Sequence, residues 1–279
     1  MALGIRGLSG RGPAVPSAPR SPTPVPAYAF LDHPGPLAFA HRGGSLDGRE
    51  NTAVAFAAAI ALGFRYLETD VHATADGVLV AFHDRRLDRV TDVSGAIATL
   101  PWARVRQARV GGTEPIPLLE DLLMAWPQAR FNVDVKDAPA IGPLIDVVRR
   151  TRAQDRVCVA SFSEARLAAV RRGLGSRVCT SLGPWGGTRL WAAALPPGWP
   201  TLVPRGIPCA QLPSRAGWMP VVTRALVETA HRAGMAVHAW TVDEPAQMHR
   251  LLDLGVDGVI SGRPQVLREV LLARGQWVG

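Results

Sequence analysis

Residues 66–72 read YLETDVH. Successive side chains of a strand point to opposite faces, so Tyr66, Glu68, Asp70 and His72 share one face while Leu67, Thr69 and Val71 share the other. The same alternation places Asn132, Asp134 and Lys136 together in FNVDVK, residues 131–136, and puts His238 beside Trp240 further along. Strands that serve packing alone would carry Val, Ile or Leu at such positions, because a buried carboxylate without a partner is very costly. These strands are therefore read as buried on both faces, with chemistry on the inner one.

Outward from YLETDVH, short strand-like runs alternate with helical patterns. The strands are expected at Leu37–Ala40, Tyr66–His72, Phe131–Lys136, Val157–Phe162, Val178–Leu182, Cys209–Leu212, Ala236–Thr241 and Gly258–Ile260. The helices are expected at Thr52–Leu62, Leu118–Trp126, Ala140–Arg152, Glu164–Arg172, Thr188–Leu195, Thr223–Ala233, Pro245–Leu254 and Pro264–Leu272. Eight strands, each followed by a helix, is the count of a single TIM (β/α)8 barrel of the α/β class, here spanning residues 37–274. One interval is too long for that rhythm. Across residues 73–116, Ala75-Asp76-Gly77 reads as a tight turn into an apolar partner run, Val78–Phe82, followed by an irregular insertion on the catalytic face.

The chain's 47% apolar and 19% charged residues exclude disorder throughout, and no uninterrupted apolar stretch is long enough to span a membrane. Residues 1–30, rich in Pro, Gly and Arg and without a hydrophobic signal-peptide core, read as a disordered tail. The net charge of +8 comes from arginines scattered singly or in pairs, so a nucleic-acid partner is not expected. Lys136 is the sole lysine. Cys158, Cys179 and Cys209 lack zinc-ligand spacing and read as buried free thiols in a reducing, cytoplasmic protein.

Three inward carboxylates, Glu68, Asp70 and Asp134, imply a cation between two strands. Oxygen ligands with room for water suit Ca²⁺ or Mg²⁺ better than zinc. The other reading is a salt-bridge network built with Lys136 and Arg42. His41-Arg42-Gly43-Gly44 closes the first strand, where glycines admit a ligand to the backbone and Arg42 offers a fork for phosphate. His83-Asp84 ends the run after the Asp76-Gly77 turn and is placed to face His41 across the mouth. Two histidines beside a cation and an arginine suit phosphodiester cleavage, one accepting a proton and the other donating one. His72 is assigned a hydrogen-bonding role, and His238 is read as a satisfied core histidine.

The order of these pieces resembles the glycerophosphodiester phosphodiesterases. HRGG at 41–44, ENT at 50–52, ETDVHATADGVLVAFHD at 68–84 and LDRVTDVSG at 87–95 carry the likeness, with IPLLEDLL at 116–123, NVDVK at 132–136, ASF at 160–162, HAWTVD at 238–243 and GVDGVISGRP at 255–264. The resemblance implies a TIM barrel in which His41 and His83 are the acid/base pair. It further implies Arg42 on the phosphate and Glu68, Asp70 and Asp134 on a divalent metal, followed by the family's lysine as Lys136, which is read with Arg42 as substrate-binding. Trp240 is read from its strand position as lining the glycerol or alcohol site, the other reading being a core tryptophan. The expected partner is a small glycerophosphodiester, cleaved to sn-glycerol 3-phosphate and an alcohol, with no stable membrane insertion. Asp134 stands where the family usually has glutamate, one methylene longer. Arg49 replaces a common proline, and Ser261-Gly262 replaces a Thr-Asp pair. Two other readings use the same positions. One is lysophospholipase D-like hydrolysis, marked by an extended apolar rim beside the pocket; the other is a non-catalytic phosphate-binding barrel.

Overall fold

Each strand presents one set of side chains to the barrel interior and the alternate set to the surrounding helices, so both faces are dry and both must be filled. The computed structural model describes residues 28–44, 48–196 and 203–279. In chain order it begins with β1 (Leu37–His41), α1 (Ala53–Ala61), β2 (Tyr66–Ala73), β3 (Leu79–Ala81), α2 (Trp102–Val105), β4 (Arg109–Val110), β5 (Glu114–Pro115), α3 (Leu119–Ala125) and β6 (Arg130–Val135). It continues with α4 (Ile141–Arg150), β7 (Val157–Ala160), α5 (Glu164–Leu174), β8 (Cys179–Thr180), α6 (Pro184–Ala193), β9 (Cys209–Pro213), β10 (Arg215–Ala216) and β11 (Met219–Pro220). The last elements are α7 (Arg224–Arg232), β12 (Ala236–Trp240), α8 (Pro245–Leu254), β13 (Gly258–Ser261) and α9 (Pro264–Ala273).

The barrel strands run in the order β8-β7-β6-β2-β1-β13-β12-β9, with parallel neighbours. A single parallel bridge, Ser181 to Cys209, and the hydrogen bond from Leu182 N to Cys209 O at 2.9 Å join its two ends. All eight expected strands are present, with ends shifted by a residue or two. The largest shift in a helix is at α6, which begins at Pro184 rather than Thr188. Proline fixes the backbone angle a first helical turn needs and lacks the N–H that would go unbonded there.

The turn at residues 75–77 forms as expected. Thr74 Oγ1 donates to Asp76 Oδ1 at 2.6 Å, Gly77 takes φ 79°, and β3 returns antiparallel to β2. The insertion beyond it departs from the irregular loop read from sequence. Val80, Phe82, Leu87, Ile97, Val105 and Val110 form a small core of their own, which the scattered spacing of these residues conceals.

At the base of the barrel interior, Leu37, Phe39, Tyr66, Ile260 and the three cysteines pack into one buried layer. The cysteines are free and buried, as their spacing predicted. Phe30 seals this layer from below at 1% exposure, and Tyr66 Oη donates to its carbonyl at 2.9 Å. The boundary of the expected tail is corrected accordingly. Residues 1–27 lie outside the described residues, but Tyr28 to Phe30 belong to the fold, because an open barrel base leaves aromatic rings to be covered. Phe30→Ala is expected to lower the unfolding free energy by about 3 kcal/mol. Urea denaturation checks this, and a loss below about 1 kcal/mol would show that the plug is dispensable.

Candidate active site

β1 ends where three consecutive residues turn left-handed: Arg42 at φ 54°, Gly43 at 77° and Gly44 at 106°. A side chain on Gly43 would meet Phe56 N at 2.8 Å, so the turn can lie against the start of α1 only as glycine. Arg42 holds its unfavourable angle through two backbone hydrogen bonds, donating to Glu68 Oε2 at 3.1 Å and accepting from Asn51 N at 2.9 Å. Thr52 then caps α1 by accepting from Ala55 N. The HRGG and ENT segments are thereby clamped together over the end of β2.

β2 and β6 are neighbours in register, with Asp70 opposite Asp134. The Lys136 ammonium stands between them, 2.7 Å from Asp70 Oδ1 and 2.7 Å from Asp134 Oδ2. Asp70 Oδ2 accepts from Asn51 Nδ2 at 3.0 Å and lies 3.3 Å from Arg42 Nε. Asp134 Oδ1 is buried without a hydrogen-bond partner. Burial pushes the Glu68 carboxyl well above its ordinary range, and the neighbouring Asp70 pushes it further. Burial also raises Asp134, and Lys136 only partly offsets it. For Asp70 burial again acts upward, but Lys136 and Arg42 outweigh it and hold the group below the usual range. Burial, with Arg42 beside it, lowers His41 to about 4, which favours the neutral ring at neutral pH.

His83 reaches the same mouth from the insertion. Its Nδ1 is 2.6 Å from Asp84 Oδ1. Arg89 donates to Asp84 Oδ2 at 2.6 Å and to Glu50 Oε1 at 2.5 Å, and Glu50 Oε1 also accepts from Arg42 Nη1 at 3.0 Å. Arg89, with a further contribution from His83, holds Asp84 at about 2. An unbroken chain of charge-assisted contacts thus runs Arg42–Glu50–Arg89–Asp84–His83. His72, buried, bonds Asp137 at 2.8 Å through Nδ1 and the His83 carbonyl at 3.1 Å through Nε2, the supporting role read for it. His238 is fully buried with Nδ1 3.4 Å from Gln211 Nε2, but its own Nε2 has no partner, so it is only half satisfied.

All eight candidates, His41, Arg42, Glu68, Asp70, His83, Asp134, Lys136 and Trp240, line one cavity of about 490 Å³. The three carboxylates do not converge as a ligand set, because Lys136 takes the position between two of them. Among the described residues, the sole trio of metal-ligating side chains whose donor atoms lie within 4.8 Å of one another is the three buried cysteines. The salt-bridge arrangement is the one observed. The opposite half of the cavity is apolar: Phe162, Leu182, Trp191, Leu212, Met219 and Val221 come from β9 and from the segments that follow β7, β8 and β9, Trp191 from α6 and Met219 from β11. Phe162 meets Trp240 edge to face at 5.7 Å, with the Lys136 ammonium 5.9 Å from the Phe162 ring. Sequence reasoning gave no role to Glu50, Asn51, Asp84 or Arg89. Adjacency to HRGG and to His83 was the available signal for the first three, whereas Arg89 is brought in only by the fold of the insertion.

The pattern of the glycerophosphoryl diester phosphodiesterase family matches residues 41–266. The chain belongs to this family. It is 49% identical to the probable glycerophosphodiester phosphodiesterase 2 of Mycobacterium tuberculosis, over 91% of this chain and 98% of that one. A crystal structure from Silicibacter pomeroyi DSS-3 that carries the family's name matches with a TM-score of 0.75 at 25% identity, over 90% of this chain and 100% of the other. An Oleispira antarctica phosphodiesterase, solved with the product sn-glycerol-3-phosphate, shares the fold at a TM-score of 0.71 and 24% identity, over 85% of this chain and 97% of the other.

For this family member, Lys136→Met leaves Asp70 and Asp134 facing each other with no cation between them. It is expected to lower stability by about 3 kcal/mol when divalent ions are chelated, with part of the loss recovered on adding Ca²⁺ or Mg²⁺. Chemical denaturation with and without chelator checks this. An unchanged midpoint would show that the pair does not depend on the ammonium.

Proposed function

We propose that this chain hydrolyses glycerophosphodiesters to sn-glycerol 3-phosphate and an alcohol, with His41 and His83 as the proton acceptor and donor. The observation that carries the reading is His41 sharing one cavity with Asp84-bound His83, Arg42 and three buried carboxylates. His41 accepts the proton of the attacking hydroxyl, whether that of water or of the substrate's own glycerol. His83, whose ring orientation Asp84 fixes, donates to the leaving alkoxide. Arg42 and Lys136 place positive charge beside the non-bridging oxygens as charge builds there. Family membership and the name of the Mycobacterium tuberculosis relative support the same reaction.

The chemistry of the donors suits a divalent cation, although the Lys136 ammonium now holds the place between Asp70 and Asp134 that the ion would have to take. Asp134 Oδ1 is buried and unpartnered, Glu68 is pushed toward its neutral form by burial and by Asp70, and all the donors are hard oxygens suited to Ca²⁺ or Mg²⁺. Glu68, Asp70 and Asp134 would hold such an ion, which competes with the Lys136 ammonium for two of these carboxylates. When bound it supplies further charge stabilisation at the phosphate. Among the described residues no helix is long and apolar enough to cross a membrane. With its three free thiols, the protein is proposed to work in the cytoplasm. The apolar half of the cavity favours a second substrate, a lysophospholipid cleaved by the same residues.

Release of glycerol 3-phosphate from glycerophosphocholine, with Ca²⁺, Mg²⁺ or chelator and with lysophosphatidylcholine as competitor, tests these readings together. Divalent-stimulated release supports the first, whereas silence on the diester with turnover of the lysolipid moves the protein to the second. His41→Ala is expected to reduce turnover by at least about 100-fold with an unchanged far-ultraviolet spectrum. Near-normal activity in that variant would sink the acid/base assignment.

A further inference from the structure

The described residues expose three aromatic side chains strongly, and all stand at the mouth of the barrel. Phe162 follows β7, Trp185 opens α6 after β8, and Trp218 forms the tip of the β10–β11 hairpin after β9, at 63%, 73% and 85% exposure. None of these exposures serves the fold, since a side chain left in water gains nothing from folding. The hairpin holds Trp218 outward by defined contacts. Gly217 takes φ 59°, Arg215 pairs with Pro220 and Ala216 with Met219, and Arg215 Nη2 donates to the Trp218 carbonyl at 2.5 Å.

The exposed apolar surface continues into the cavity. Phe162 and Met219 belong to both, and Pro184, the neighbour of Trp185, lines the wall. Basic groups stand at the same end of the barrel: Arg215 is exposed in β10 of the hairpin itself, and Arg85 and Arg263 are exposed in loops, Arg263 3.9 Å from Glu244, on a chain of net charge +8. Tryptophan at the rim of an apolar surface, with arginine beside it, matches the chemistry of a lipid headgroup region, where an amphipathic ring and a guanidinium are both accommodated. A protein seated on this face would close the mouth over the substrate. A lipid surface leaves a continuous apolar path by which an amphiphile can enter.

We propose that the apolar half of the mouth seats reversibly on an anionic lipid surface, with Trp185 and Trp218 entering the headgroup region and the arginines facing lipid phosphates. The hairpin and the loops after β7 and β8 are the docking surface; the histidines and carboxylates take no part in it.

Co-sedimentation of the full chain with vesicles of phosphatidylcholine mixed with phosphatidylglycerol tests this, beside a Trp185→Ser/Trp218→Ser double variant and an Arg215→Glu variant. The wild type is expected to bind at low salt, and the tryptophan variant to lose at least about tenfold in vesicle affinity. Arg215→Glu and added salt are expected to weaken binding as well. Hydrolysis of soluble glycerophosphocholine should be unchanged in the tryptophan variant, which touches no group assigned to the reaction. Absence of wild-type binding, or equal binding by the tryptophan variant, would overturn the proposal. Concentration-dependent dimerisation that the tryptophan substitutions abolish, without vesicle binding, would also overturn it and assign the face to a second copy. Vesicle binding is read without turnover, so a chain that sediments but hydrolyses nothing would keep the docking surface and sink the substrate reading instead.

Discussion

The Lys136 ammonium between Asp70 and Asp134 is the interaction on which the upper barrel depends. β2 and β6 lie in register, so their inward carboxylates are forced opposite one another, and Glu68 adds a third within the same dry enclosure. Coulomb repulsion in such a medium is far stronger than in water, and without a cation these strands would repel at their catalytic ends. Two cations, Lys136 and Arg42, share the task. They keep Asp70 charged, while Glu68 and Asp134, less well served, are driven upward by burial. That imbalance leaves Glu68 and Asp134 without enough positive charge nearby to favour their ionised forms. It is the physical ground for expecting a further positive charge there, on an ion or on an incoming ligand's surroundings.

The same constraint explains the left-handed turn at the end of β1. Arg42 reaches Asp70 and Glu50 from a backbone angle that arginine adopts only under compulsion, and the compulsion comes from the clamp by Glu68 and Asn51. Glu50 passes the constraint on to Arg89, and Arg89 to Asp84, so the group that fixes His83 is tied to Arg42. Arg42 and His83, far apart in sequence, are thereby tied together through Glu50, Arg89 and Asp84. The insertion's private core, formed by Val80, Leu87, Ile97 and their neighbours, is what gives that unit its second anchor.

Much of this was legible in the sequence because strand alternation is a strict period of two. Glu68, Asp70, Asn132, Asp134 and Lys136 had to share the inner face once YLETDVH and FNVDVK were strands, and HRGG had to end β1 where its glycines permit the turn. The barrel count followed from the alternation of strands and helices. What escaped has physical reasons. Arg89 sits in a short turn whose direction is set by the insertion's packing, which no local period records. Phe30 lies in a stretch whose composition belongs to a tail, yet it is drawn into the fold by the uncovered rings of Phe39 and Tyr66 at 6.3 Å and 5.4 Å. The bridge that Lys136 makes to Asp70 and Asp134 depends on its rotamer, and alternation gives the face of a residue but not the reach of its side chain.

The barrel divides its mouth by strand. β1, β2 and β6 with the insertion bring every charged group of the site, whereas most apolar side chains of the wall come from β7, β8, β9 and the segments after them, joined by Trp240 of β12 and Ile260 of β13. This division follows from electrostatics. Charges that must neutralise one another have to lie within a few ångströms, so they cluster on adjacent strands. The remaining strands are then released from that demand and can carry Leu182, Trp191, Leu212 and Val221. In the proposed reaction the first half would take the glycerophosphate group whatever it is esterified to, and the second half would meet the rest of the molecule. Variation in substrate within such a scaffold can therefore proceed through β7 to β9 and their loops without disturbing the Lys136 bridge, since no apolar wall residue contributes to the charge balance that holds the catalytic half together.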